Sequence, residues 1–101
     1  MTAFDLASCA FNQQDLKHAE EYIIDAYAEH SIPEQSLWIM PSITGMSKIQ
    51  RGEQAGAADL LQAEKWLNEQ EADEGRMGQV PRPGEQGSRR GFRVLMERLF
   101  D

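Results

Sequence analysis

Apolar residues recur along this chain at the spacing of helices and never with the strict alternation of strands. The clearest run lies over 13–30, where Leu16, Ala19, Ile23, Ala26 and His30 step by 3 and 4 residues. That spacing gathers side chains onto one face of a helix. Tyr22, Ile24 and Tyr27 broaden the stripe. Two steps of seven are too few for a sustained coiled coil. The pattern therefore predicts an amphipathic helix whose apolar face needs a partner. Over 57–74, Leu60, Leu61, Ala63, Trp66 and Leu67 predict a second long helix and face inward.

Shorter elements follow from caps and breakers. Thr2 with Asp5 has the form of a helix N-cap and its reciprocal partner, opening a short helix that carries Leu6, Ala7, Ala10 and Phe11. Asn12 and Asp15 repeat the signal. Ser31-Ile32-Pro33-Glu34 starts a further helix of about two turns, which Pro41 is expected to stop. The stretch 42–56 reads as a loop containing a short helix, because Gly45, Gly52 and Gly56 interrupt the three-residue recurrence of Ile43, Met46 and Ile49. Four glycines and two prolines over 75–87 predict a flexible Gly/Pro-rich loop, placed at 74–88. Ser88 then caps a final helix over 89–100, with Phe92, Leu95, Met96, Leu99 and Phe100 as its apolar stripe. The expected fold is all-α: one small helical bundle of four to six helices, spanning 1–101, with that loop before the C-terminal helix.

Composition narrows the setting. The chain has 101 residues, 41% hydrophobic and 27% charged, enough for one modest core. A wide cavity for a large cofactor would be hard to build from so few core residues, and no cofactor is expected. A single cysteine, Cys9, excludes an internal disulfide framework. It lies in an apolar stretch and is expected to be a buried, inert thiol. No segment approaches the ~18 consecutive apolar residues of a membrane span, and the N-terminus lacks the form of a signal peptide. A cytoplasmic location and no membrane association are expected.

The residues that usually carry chemistry do not assemble in the sequence. Gly45-Met46-Ser47-Lys48 lacks the first glycine and the final hydroxyl of a phosphate-cradling loop. Cys9, His18 and His30 are scattered, so no metal site is expected. Asp15 and His18 form only half of a carboxylate–histidine metal pair. Nothing in the spacing pairs Cys9 with either histidine for nucleophilic catalysis. With 17 acids in the chain, a lone carboxylate pair carries no signal. No catalytic residue is nominated, and the chain is read as non-enzymatic.

The charge layout is more informative. Residues 1–75 carry a balance of −10 and residues 76–101 one of +3, for a net −7. Glu21, Asp25 and Glu29 lie four apart on one helix face, where like charges repel by a few tenths of a kcal/mol per pair. Glu69, Glu71, Asp73 and Glu74 crowd the negative dipole end of the second long helix, and Arg89, Arg90 and Arg93 the positive end of the last one. If the Gly/Pro loop turns the chain back, these two unfavourable clusters become neighbours and neutralise one another.

Two functions remain in contention. The first is an acidic protein that binds and inhibits or modulates a larger partner protein, presenting Glu21, Asp25, Glu29, Glu69, Glu71, Asp73 and Glu74 to a basic, nucleic-acid-binding surface. In size and charge the chain resembles phage-encoded counter-defence inhibitors, anti-CRISPR and anti-restriction proteins among them, in bulk character rather than in any motif. The second is a nucleic-acid-contacting or assembly subunit using Arg76, Arg82, Arg89, Arg90 and Arg93, which the acidic body opposes. A homodimer is a further expectation, since acidic body and basic tail could pair between copies.

Overall fold

The computed structural model describes residues 2–81 and 84–100. It is all-α among the described residues, with five α-helices: α1 (Ala3–Asn12), α2 (Leu16–Ala28), α3 (Ile39–Gln50), α4 (Gly56–Met77) and α5 (Glu85–Phe100), plus a 3-10 turn at Glu34–Ser36. α1 packs chiefly on α2 and α3 on α4; α2 against α3 joins the two pairs, and α5 returns to α1.

Caps set the first two helices. The Thr2 hydroxyl accepts from the Asp5 backbone N–H at 3.1 Å, while the Thr2 N–H donates to the Asp5 carboxylate at 3.0 Å. Asp15 caps α2 by accepting from the His18 N–H. Both helices end in the same motif. Gln14 and His30 adopt left-handed backbone angles, φ 62° and 54°. The following residues, Asp15 and Ser31, donate back to Ala10 and Ala26, satisfying carbonyls that the helix leaves free. The helix expected over 13–30 is therefore shorter, and exposed His30 is the reversal residue after α2 rather than part of its apolar stripe.

Three expectations for the middle and end of the chain are corrected. Pro41 does not stop a helix: it lies in the first turn of α3, where its missing N–H would have had no intrahelical acceptor. The stretch expected as a loop is mostly α3, and Gly45 serves as its contact with α4. A Cβ on Gly45 would fall 2.8 Å from the Gly56 carbonyl oxygen, and a Cβ on Gly56 would strike the Gly45 carbonyl. The expected flexible loop over 74–88 is also shortened. Residues 74–77 belong to α4 and 85–88 to α5, with Gly78 at φ 67° turning the chain out of α4.

One core joins all five helices. Trp38 stands between Phe11 and Phe92, at ring-centroid distances of 6.5 and 5.3 Å, within a cluster that includes Ile23, Ile39, Ile43, Leu60 and Leu67. Trp66, Leu61, Leu99 and Phe100, expected inside, are exposed instead. Cys9 is exposed as well, because Phe4, Ala7, Ala10 and Phe11 define the buried face of α1. No helix of the described residues is long and apolar enough to cross a membrane.

Candidate functional site

The register of α4 divides its acids. Leu60, Ala63 and Leu67 mark the buried line, which Glu74 continues. With 3.6 residues per turn, Asn68 and Glu71 fall on one flank of that line, and Trp66, Glu69, Gln70 and Asp73 on the other.

The flank facing α5 is a charge staple. Arg89, 5% exposed, donates from its two terminal nitrogens to the Glu74 carboxylate at 2.6 and 2.8 Å, and Glu74 is itself only 4% exposed. Arg89 also reaches Glu85 through Nε at 3.4 Å. Glu85 accepts in addition from the Ser36 hydroxyl at 2.9 Å and from the Trp38 indole N–H at 2.8 Å. One turn further along, Arg93 donates to Glu71 and to Asn68. The hydrogen bonds from Arg89 hold the Glu74 carboxyl below the usual carboxylate range in spite of its burial, and those to Glu74 hold the guanidinium above its own. Glu71 and Glu74 of the acidic end of α4 are thus neutralised within the chain by Arg89 and Arg93 of α5, while Glu69 and Arg90 take no part.

Ser88 does not cap α5; it lies inside the helix and donates to the Asn12 side chain at 3.1 Å, tying α5 to the end of α1. Glu85, Ser36 and the Trp38 N–H were not singled out by the sequence. Their one visible trace is Glu85 four residues before Arg89, the spacing of a helical ion pair.

On the opposite flank, α4 and the 3-10 turn enclose a cleft of about 210 Å³. Trp66 and Leu37 form its apolar surface, 42% and 40% exposed. Glu34, Glu69 and Asp73 stand around them. Asp73 pairs with Arg76 on its own helix, an exposed contact of the kind worth about 0–1 kcal/mol. Trp38 lines the same cleft, so its wall includes the indole that Glu85 anchors.

The remaining sequence candidates stay apart from both features. Glu21 and Asp25 on α2 and Glu29 just past its end are exposed and make no ion pair among the described residues. Arg90 is exposed on α5, and Arg82 lies outside the described residues. His18 bonds Asp15 at 2.7 Å and stacks on Tyr22. Among the described residues no three His, Cys, Asp or Glu side chains converge on a point that could hold a metal.

The class defined by fold and surface is a small all-α bundle with an internally neutralised charge staple and an acid-rimmed aromatic cleft. No known protein family, no curated protein and no solved structure matches this chain.

Proposed function

We propose that this protein is a non-enzymatic binder that engages a larger partner protein through uncompensated carboxylates and so inhibits or modulates it. The observation that carries the reading is the asymmetry of free charge. Glu21, Asp25, Glu29, Glu34 and Glu69 are exposed without an ion pair among the described residues, whereas Arg89 and Arg93 are bonded to the chain's own acids and the exposed cations left without an ion pair are Lys17, Lys65, Arg90 and Arg98. Carboxylates one helical turn apart, about 6 Å along the axis, can stand in for phosphates on a basic nucleic-acid-binding surface. Complementary charge of this kind speeds encounter and selects partners, which suits an inhibitor of counter-defence character.

The nucleic-acid reading loses support for the same reason. A guanidinium buried against two carboxylates is not available to a phosphate. Exchange of acidic and basic clusters between two copies would likewise have to break pairs already made within one.

Affinity capture from a lysate of the encoding organism, with and without nuclease, tests the proposal. The expected result is one stoichiometric protein that survives nuclease and disappears when Glu21, Asp25 and Glu29 are all changed to lysine, with helicity unchanged. Recovery of nucleic acid, or capture that nuclease abolishes, would overturn the reading in favour of the exposed arginines.

A further inference from the structure

We infer that the cleft between the 3-10 turn and α4 receives an arginine side chain from a basic, apolar-flanked segment of a partner protein; the inference rests on the binder reading and names where and what it binds. Trp66 and Leu37 are neighbouring large apolar side chains left open to solvent on the same cleft. An exposed tryptophan is the side chain best suited to a cation over its ring face and is among the commonest anchors of protein interfaces. The three carboxylates beside it fix the sign of the ligand: the cleft pairs an aromatic face with negative charge, so its complement is a cation that can also stack.

Arginine meets both demands better than lysine. Its planar guanidinium stacks on aromatic faces and bonds carboxylates in a fork, whereas an ammonium is a compact, strongly hydrated point charge. Size points the same way. At about 210 Å³ the cleft is smaller than the ~300–1,000 Å³ typical of drug-sized ligand pockets, and suits one long side chain with an apolar neighbour. The chain already shows a guanidinium at this rim, since Arg76 pairs with Asp73. The Arg76 side chain is 76% exposed, leaving it free to yield its carboxylate to an incoming partner. The wall formed by Trp38 is fixed from behind by its hydrogen bond to Glu85, so that side of the cleft need not be ordered on binding.

The test uses the full chain and a synthetic peptide of repeated Arg-Leu pairs separated by serines, with matched peptides carrying glutamine or lysine for arginine. Calorimetry is expected to show saturable 1:1 binding of the arginine peptide and at least tenfold weaker binding of the glutamine and lysine versions. Trp66→Ala and the double variant Glu69→Gln/Asp73→Asn should each lower affinity at least tenfold, with the helical circular-dichroism signal unchanged. Both sites are exposed, and the second variant keeps side-chain shape should the first perturb packing. In the wild type, the peptide should shield Trp66 from iodide quenching. Absence of saturable binding, or equal affinity in the cleft variants, would overturn the inference. If lysate capture depends on the α2 acids while the cleft variants bind peptide like wild type, the cleft fails and the binder reading stands. A wild type that captures no protein defeats the broader reading whatever the peptide does.

Discussion

Arg89 grips Glu74 through both terminal guanidinium nitrogens, at 2.6 and 2.8 Å, and fastens α5 to the last turns of α4 across 15 residues of chain. Both partners are buried, so removing one leaves the other charged and shielded from water. A buried pair broken on one side loses about 3–5 kcal/mol, while replacing both partners by apolar groups of similar volume is often neutral. Arg89→Met alone should therefore lower the urea midpoint sharply. Adding Glu74→Leu should recover much of the loss, though not all, because Glu85 keeps its charge beside the missing guanidinium. Equal midpoints for the single variant and wild type would mean that the staple adds no stability.

The same pair fixes an acid limit on stability. Arg89 holds the folded-state pKa of Glu74 below its unfolded value, so the contribution is complete above about pH 4.3, the ordinary glutamate value. It is then lost as pH falls through the lower folded value, because the unfolded chain takes up the proton first. The stability difference between wild type and Glu74→Gln should be constant near neutrality and shrink below about pH 4.3. A difference that stays level down to pH ~2.5 would show that Glu74 is not held low by Arg89.

Cys9 offers a direct check on the orientation of α1. Its thiol is exposed while Phe4, Ala7, Ala10 and Phe11 are buried. A thiol reagent should label the native protein at a rate within about tenfold of the urea-unfolded chain, since an accessible cysteine needs no opening of the fold. Labelling slowed a thousandfold in the native state would place Cys9 inside and rotate the helix.

Much of this architecture was legible in the sequence, and what escaped did so for identifiable reasons. Thr2 and Asp5 form the cap their residue types imply, because capping is local chemistry, whereas Asn12 ends α1 instead of capping α2 and Asp15, expected as its partner, is the cap. The meeting of the α4 acids with the α5 arginines was legible from two clusters, each unfavourable on its own helix. The ends of α1 and α2 were not, because Gln14 and His30 take the left-handed position usually given to glycine. The start of α5 was hidden because its buried line continues through Glu85, Ser88 and Arg89, polar residues that are buried only because tertiary partners satisfy them. The cleft was invisible for a related reason: Leu37 and Glu34 come from a turn 29 or more residues from Trp66, and only packing brings them together.

The glycines supply the sharpest contrast between reading by residue type and reading by position. Gly45 and Gly56 sit where α3 and α4 touch backbone to backbone, and a Cβ on either meets a carbonyl oxygen of the other. Backbone cannot move aside as the tip of a side chain can, so the helices must separate and Leu60, packed beside Gly45, must shift with them. Overpacking of this kind costs about 1–3 kcal/mol, and Gly56→Ala should lower thermal stability accordingly. Gly75 and Gly91 are also helical, but a Cβ on either meets nothing within 4 Å. There alanine removes only the conformational freedom of the unfolded chain, and each change should stabilise by about 0.4–1 kcal/mol. For a domain of this size 1 kcal/mol corresponds to roughly 4–8 °C in Tm, so opposite signs at chemically identical substitutions are easily resolved by calorimetry. If Gly56→Ala raised Tm as Gly75→Ala does, α3 and α4 could not cross at these two glycines, and the stretch between Ser42 and Gly56 would revert to the loop its composition suggests.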